Sequence, residues 1–138
     1  MSIKTSDLEQ MLQHASKDSL NEIEQLIESV EFVSELERLL ELRQMSKSDI
    51  TKNTLLERSY AYQIMAGTKR GSKDKILQIC LALNCDLEET NRLLTLSENP
   101  KLYAKDKRDL YLIYAINHKY SVMMTNELLE ENQHLILS

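Results

Sequence analysis

Residues 45–70 read MSKSDITKNTLLERSYAYQIMAGTKR. Ser46 with Asp49 after it is the S/T-x-x-E/D pattern that satisfies the orphan N–H groups at a helix start. A short helix is expected over Ser46–Asn53 and another over Glu57–Ala66, with room between them only for a tight turn. Ile50, Leu56, Ala61 and Ile64 form the apolar set that would hold the two together. Thr51 puts a small residue where the helices come closest. Left over are Arg58, Ser59, Tyr60, Tyr62, Gln63, Lys69 and Arg70, more hydrogen-bonding groups than a helix needs merely to pack.

The chain around this segment is acidic, with a formal net charge of −5 over 138 residues. The charge is uneven. Residues 1–44 carry net −6, residues 45–75 net +4, residues 76–99 net −3, and residues 100–138 are neutral. A basic island between acidic flanks suits a protein that meets a polyanion with one face. It also suits a solvated, lysine-rich surface, and charge alone does not choose between these.

Only 2 glycines and 1 proline occur, and none of the Asn-Gly or Asp-Gly pairs that hairpins favour. That composition points to an all-helical chain, and its length to one ordinary domain or one domain with an appended piece. Cys80 and Cys85 are too few for a disulfide framework and are read as reduced core residues. No apolar run approaches the ~20 residues of a membrane span, and the N-terminus shows no secretory signal. A reducing cytoplasm is the expected setting.

Further helices follow from caps and apolar periodicity. Ser6 with Glu9 and Ser19 with Glu22 predict starts for a short helix near 6–14 and a long one over Leu20–Arg43. The long helix would span roughly 36 Å. A helix over Lys73–Leu83 should stop at Asn84 in the left-handed conformation, and Asp86 should cap the next, Leu87–Leu96. Beyond Pro100, a helix is expected over about Lys105–Asn117 with Leu110, Ile113, Tyr114 and Ile116 as its apolar stripe, then one capped by Ser121 and running to Glu131. That stripe, with Met123 and Met124, suggests a helical hairpin against the core, methionine serving as filler or lining a partner groove.

The central pair of helices is a helix-turn-helix arrangement, whose second helix lies in the DNA major groove with its first residues at base edges. From about Leu39 to Leu94 the chain resembles the Cro/C1-type helix-turn-helix regulators, the XRE family. MSKSDITKNTLLERSYAYQIMAGTKR matches the two motif helices and the Gly-Lys-Arg loop, and DKILQICLALNCDLEET the helix, stop and cap that follow. Three positions depart from the usual pattern. Leu55 stands where the motif turn commonly has glycine, Glu57 where it has Ser, Thr or Asp, and Thr68 lengthens the loop by one residue.

The resemblance implies an all-α, lambda-repressor-like domain with helical extensions on both sides. Its bounds would be 1–38 for an N-terminal extension and candidate dimerisation helix, 39–97 for the helix-turn-helix domain, and 98–138 for a C-terminal hairpin. It implies base contacts from Arg58, Ser59 and Gln63, and backbone contacts from Lys47, Tyr60, Tyr62, Lys69 and Arg70. Arg58 would grip guanine and Gln63 adenine, each worth about 1–3 kcal/mol of discrimination. The implied function is a sequence-specific regulator of double-stranded DNA, a repressor acting as a homodimer. The alternative is a protein–protein adaptor on the same scaffold, with its partner on the N-terminal or C-terminal helices. Lys101, Lys105, Lys107 and Arg108 are diluted by Asp106 and Asp109 and read as a solvated face. His14, His118 and His134 match no metal-ligand spacing, and no catalytic motif occurs, so no enzyme, metal or cofactor is expected.

Overall fold

Eight α-helices and one short 3-10 turn make up the computed structural model, whose described residues are 3–138, with no strand among them. In chain order they are α1 (Thr5–His14), the 3-10 turn (Lys17–Ser19), α2 (Leu20–Arg43), α3 (Lys47–Lys52), α4 (Arg58–Met65), α5 (Lys73–Ala82), α6 (Leu87–Leu96), α7 (Lys107–Asn117) and α8 (Val122–Glu131). The fold is all-helical, as expected.

With so little glycine, the helices stop on other residues. Gln44, Asn84, Glu98, Lys119 and Gln133 all take positive φ. Each such residue costs roughly 1–2 kcal/mol, offset by the carbonyls it lets the chain satisfy. After α2, Met45 N–H reaches Leu40 O at 2.9 Å, and after α5, Cys85 N–H reaches Cys80 O at 3.0 Å.

Starts divide into those made by local chemistry and those made otherwise. The box at Ser46 and Asp49 forms, and so does the one at Asp86 and Glu89. Ser121 caps α8 by accepting from Met124 N–H at 3.1 Å. Ser6 does not cap α1, which begins at Thr5 with Lys4 at the N-cap. Ser19 does not cap α2 either. The 3-10 turn runs straight into the helix, and the Ser19 hydroxyl donates back to Ser16 O at 2.9 Å. α7 starts at Lys107 rather than Lys105, because Asp106 accepts from Asp109 N–H at 3.0 Å.

α5 is the centre. Every residue from Ile76 to Ala82 is buried, the mark of a helix covered all round. α3, α6 and α8 pack on it, and α2 packs on α6. The α2 C-terminus is tied to the α6 start by Arg43 and Glu89 at 2.6 Å. Only Phe32, Leu36, Leu39 and Leu40 of α2 are buried, and its N-terminal half holds nothing more than half-buried residues such as Ile27 and Ser29. Cys80 and Cys85 are free and buried. The neighbouring Cys85 thiol and burial push the Cys80 thiol well up, which leaves it unreactive.

α7 and α8 pair and lean on α6 and α5 respectively. Of the stripe expected on α7, Ile116 is buried and Ile113 packs against the core, but Leu110 and Tyr114 are corrected. Asp109, Leu112, Ala115 and Ile116 face inward, whereas Leu110 and Tyr114 are 51% and 45% exposed. The face is turned by a buried ion pair: Asp109 takes Lys73 Nζ at 2.8 Å and Tyr103 N–H at 3.0 Å. Arg108 adds a two-pronged bond to Asp74 at 3.0 and 2.9 Å, so this member of the supposed solvated cluster is a structural tie. Met123 and Met124 lie exposed and fill no core. The tail docks instead: Leu137 is buried, with its N–H on Asn126 Oδ1 at 2.9 Å.

Candidate nucleic-acid interface

α3 and α4 meet through Ile50, Ala61, Ile64 and Met65, all buried, with Leu56 partly so. Their connection contains no residue of positive φ, so Leu55 needs none of glycine's freedom there. A side chain holds it instead. Gln78 of α5 is buried, and its Oε1 accepts Leu55 N–H at 2.9 Å. Thr54 Oγ1 donates to Thr51 O at 3.2 Å and tightens the same corner.

Glu57 serves as the cap of α4, accepting from Ser59 N–H at 3.0 Å and Tyr60 N–H at 2.9 Å. Its longer side chain bends back to do what Ser or Asp does directly. Those two N–H groups hold its carboxyl below the usual range, so it stays ionised.

This cap sets what the first turn of α4 presents. Arg58, Ser59 and Gln63 are exposed. The Arg58 guanidinium lies 5.7 Å from the centroid of the Tyr62 ring, a cation–π contact that steers it along the helix face. Tyr62 is half-buried. Tyr60 packs against the core, and Lys75 Nζ lies 5.8 Å from its ring. Lys47 is half-buried in the first turn of α3.

The end of α4 is shaped by Gly67, at φ 79°. Its N–H bonds Ile64 O at 3.1 Å, and Thr68 N–H bonds Gln63 O at 3.0 Å, a Schellman stop. A Cβ on Gly67 would lie 2.8 Å from both Ser29 Oγ and Val33 Cγ2, so glycine also lets α2 approach. The extra loop residue, Thr68, is absorbed by this stop, since its hydroxyl also bonds Gln63 O at 3.1 Å. Lys69 and Arg70 follow, both exposed. Arg70 is ion-paired to Glu98, at the end of α6.

Of the residues named from the sequence, Arg58, Ser59, Gln63, Lys69 and Arg70 are exposed, Lys47 and Tyr62 are half-buried, and Tyr60 packs against the core. The sequence reading missed Gln78, Ser29 and Glu98. Gln78 had a signal, being the one strongly polar residue inside the apolar stretch Ile76–Leu83. Ser29 and Glu98 had none, because their partners are 38 and 28 residues away.

Residues 35–93 match the family model of the Cro/C1-type helix-turn-helix DNA-binding domain. The chain carries a Cro/C1-type domain. The matched segment runs from within α2 through α6, and the domain has the lambda-repressor-like fold. α1, the first half of α2, α7 and α8 lie outside it. No curated protein and no solved structure matches the chain. No helix of the described residues is long and apolar enough to cross a membrane, and among them no group of three or more His, Cys, Asp or Glu could hold a metal ion.

Proposed function

We propose that the protein is a sequence-specific regulator of double-stranded DNA, a repressor that binds as a homodimer in the cytoplasm and performs no catalysis. One observation carries this reading. Within a Cro/C1-type domain, the capped first turn of α4 offers Arg58, Ser59 and Gln63 to solvent, flanked by cations on both sides. In the proposed mode, α4 enters the major groove with Arg58 and Gln63 at base edges and Ser59 beside them. Lys47, Tyr60, Tyr62, Lys69 and Arg70 fix the register on the backbone. The described part of segment 1–38 is the proposed dimer arm, 39–97 the reader, and 98–138 the hairpin that braces it through Lys73–Asp109 and Asp74–Arg108.

Selection of bound genomic fragments, followed by binding across a salt series, tests the proposal. Three cations per protomer in a dimer predict a slope of log K against log salt of about −5. Arg58→Ala should cost about 1–3 kcal/mol on the selected site and relax its sequence preference. Lys69→Ala should weaken all sequences alike. A protein inert towards every duplex at low salt would instead favour an adaptor whose partner sits on the open apolar half of α2.

A further inference from the structure

We propose that Glu98, with Glu28 behind it, is an internal stand-in for a DNA phosphate at Arg70, keeping that cation occupied until a duplex displaces it. The inference rests on the DNA reading above and adds a regulation to the same surface.

The guanidinium of Arg70 is paired with the Glu98 carboxylate, both side chains being partly exposed. Glu98 is held in place by the backbone of the helix end. It sits at φ 61°, with its N–H on Thr95 O at 3.0 Å and the next N–H, of Asn99, on Leu94 O at 2.8 Å. The Asn99 amide then crosses to Gly71 O at 3.0 Å, binding the end of α6 to the loop that carries Arg70. From the other side, Ser29 of α2 donates to Gly67 O at 3.1 Å. Beside Ser29, the Oε2 atom of Glu28 is shielded from solvent and has no hydrogen-bond partner. The charged groups facing it are Glu98 from the α6 end, Arg70 from the loop and Glu24 one turn back on α2. Arg70 is thus ion-paired to Glu98, with the Glu28 carboxyl close beside that pair. Lys69, next in the loop, makes no ion pair among the described residues.

The arrangement has a consequence for protons. The neighbouring Glu98 carboxyl and burial already raise Glu28 above the usual glutamate range. When a phosphate takes Arg70, the two carboxyls lose that cation and lie side by side, which favours holding a proton between them. Duplex binding should then take up part of a proton, and affinity should rise as pH falls towards the carboxylate range.

The experiment compares wild type, Glu98→Gln, Arg70→Gln and the double variant on a mixed-sequence duplex of about 30 base pairs at about 50 mM salt, by fluorescence anisotropy. Glu98→Gln should tighten binding about two- to fivefold, the worth of one partly exposed ion pair. The gain should vanish in the Arg70→Gln background. Wild type should gain affinity as pH falls towards the carboxylate range, and Glu98→Gln should gain less. Wild type that binds but is unaffected or weakened by Glu98→Gln overturns the inference alone. So does a tightening that survives Arg70→Gln. Wild type that fails to bind beside a Glu98→Gln protein that binds supports it. If neither binds, the DNA reading falls and this inference with it.

Discussion

Over its first twelve residues, Leu20–Glu31, α2 buries no side chain, whereas from Phe32 onward it buries four. The two halves share one hydrogen-bonded helix, yet they are stabilised differently. The second half is held by the core. The first has little more than helix propensity, the helix's own continuation and the Ser29–Gly67 bond, with Leu20 and Leu26 left 47% and 41% exposed. α1 likewise contains no buried residue. Segment 45–75 is the opposite case. It is basic, its helices are short, and each end is pinned by a named contact: Ser46 with Asp49, Glu57, Gln78 on Leu55, and Gly67 against Ser29 and Val33. In the proposed reading the difference falls where rigidity would be needed: a surface that reads bases would have to hold its side chains to fractions of an ångström, whereas a dimer arm could finish ordering on contact.

The largest effect should come from deleting buried methyls on only one side of this divide. Leu36→Ala, at a fully buried position, should cost about 3–5 kcal/mol. Leu26→Ala, six residues beyond the first buried position, should cost about 0.5 kcal/mol or less in the monomer. Denaturant midpoints measure both. Equal losses would show that the arm is part of the core after all.

Gly67→Ala comes next, at about 2–3 kcal/mol, from a left-handed residue with a Cβ driven into Ser29 and Val33. Because Gly67 meets Ser29 and Val33 of α2, amide exchange should rise in both the loop 67–71 and the neighbouring turn of α2. A loss confined to the loop would mean the two regions are uncoupled.

Gln78→Leu should cost about 1–2 kcal/mol, leaving Leu55 N–H without its partner. Its effect on duplex binding should exceed its effect on stability, since the corner before Arg58 loosens. A variant that is destabilised but binds a duplex normally would make Gln78 a packing residue only.

The smallest effect is that of pH. The Ser46 N–H lowers the Asp49 carboxyl, the Ser59 and Tyr60 N–H groups lower Glu57, and the Asp109 N–H lowers Asp106. Their stabilisation is present above the ordinary values of 3.8 and 4.5 and is lost as pH falls through the depressed folded ones. Glu28, raised, works in the other direction: its strain is relieved as pH falls. Urea midpoints between pH 7 and 3 should therefore decline on the acid side, less so for Glu57→Gln.

Much of the reader was legible before any fold was known. The box at Ser46, the stop at Asn84 and the cap at Asp86 are local chemistry, each complete within a few residues. The apolar register of Ile50, Ala61 and Ile64 placed Arg58, Ser59 and Gln63 outward, and they are exposed. Local chemistry misled where a competing partner was close at hand. Ser19 bonds backwards to Ser16, and the α7 stripe was misread because Asp109 looks polar but is buried against Lys73.

By itself, then, the order of residues determined that this chain is helical, where most of its helices begin and end, and which basic segment could face a polyanion. Those properties depend on neighbours three or four positions away. Only the tertiary structure decided that Gln78 braces the motif turn, that the first half of α2 lies open, and that Arg70 is met by Glu98. These contacts join groups 23 and 28 residues apart, or reflect how little packs over one helix face, and neither leaves a period in the sequence.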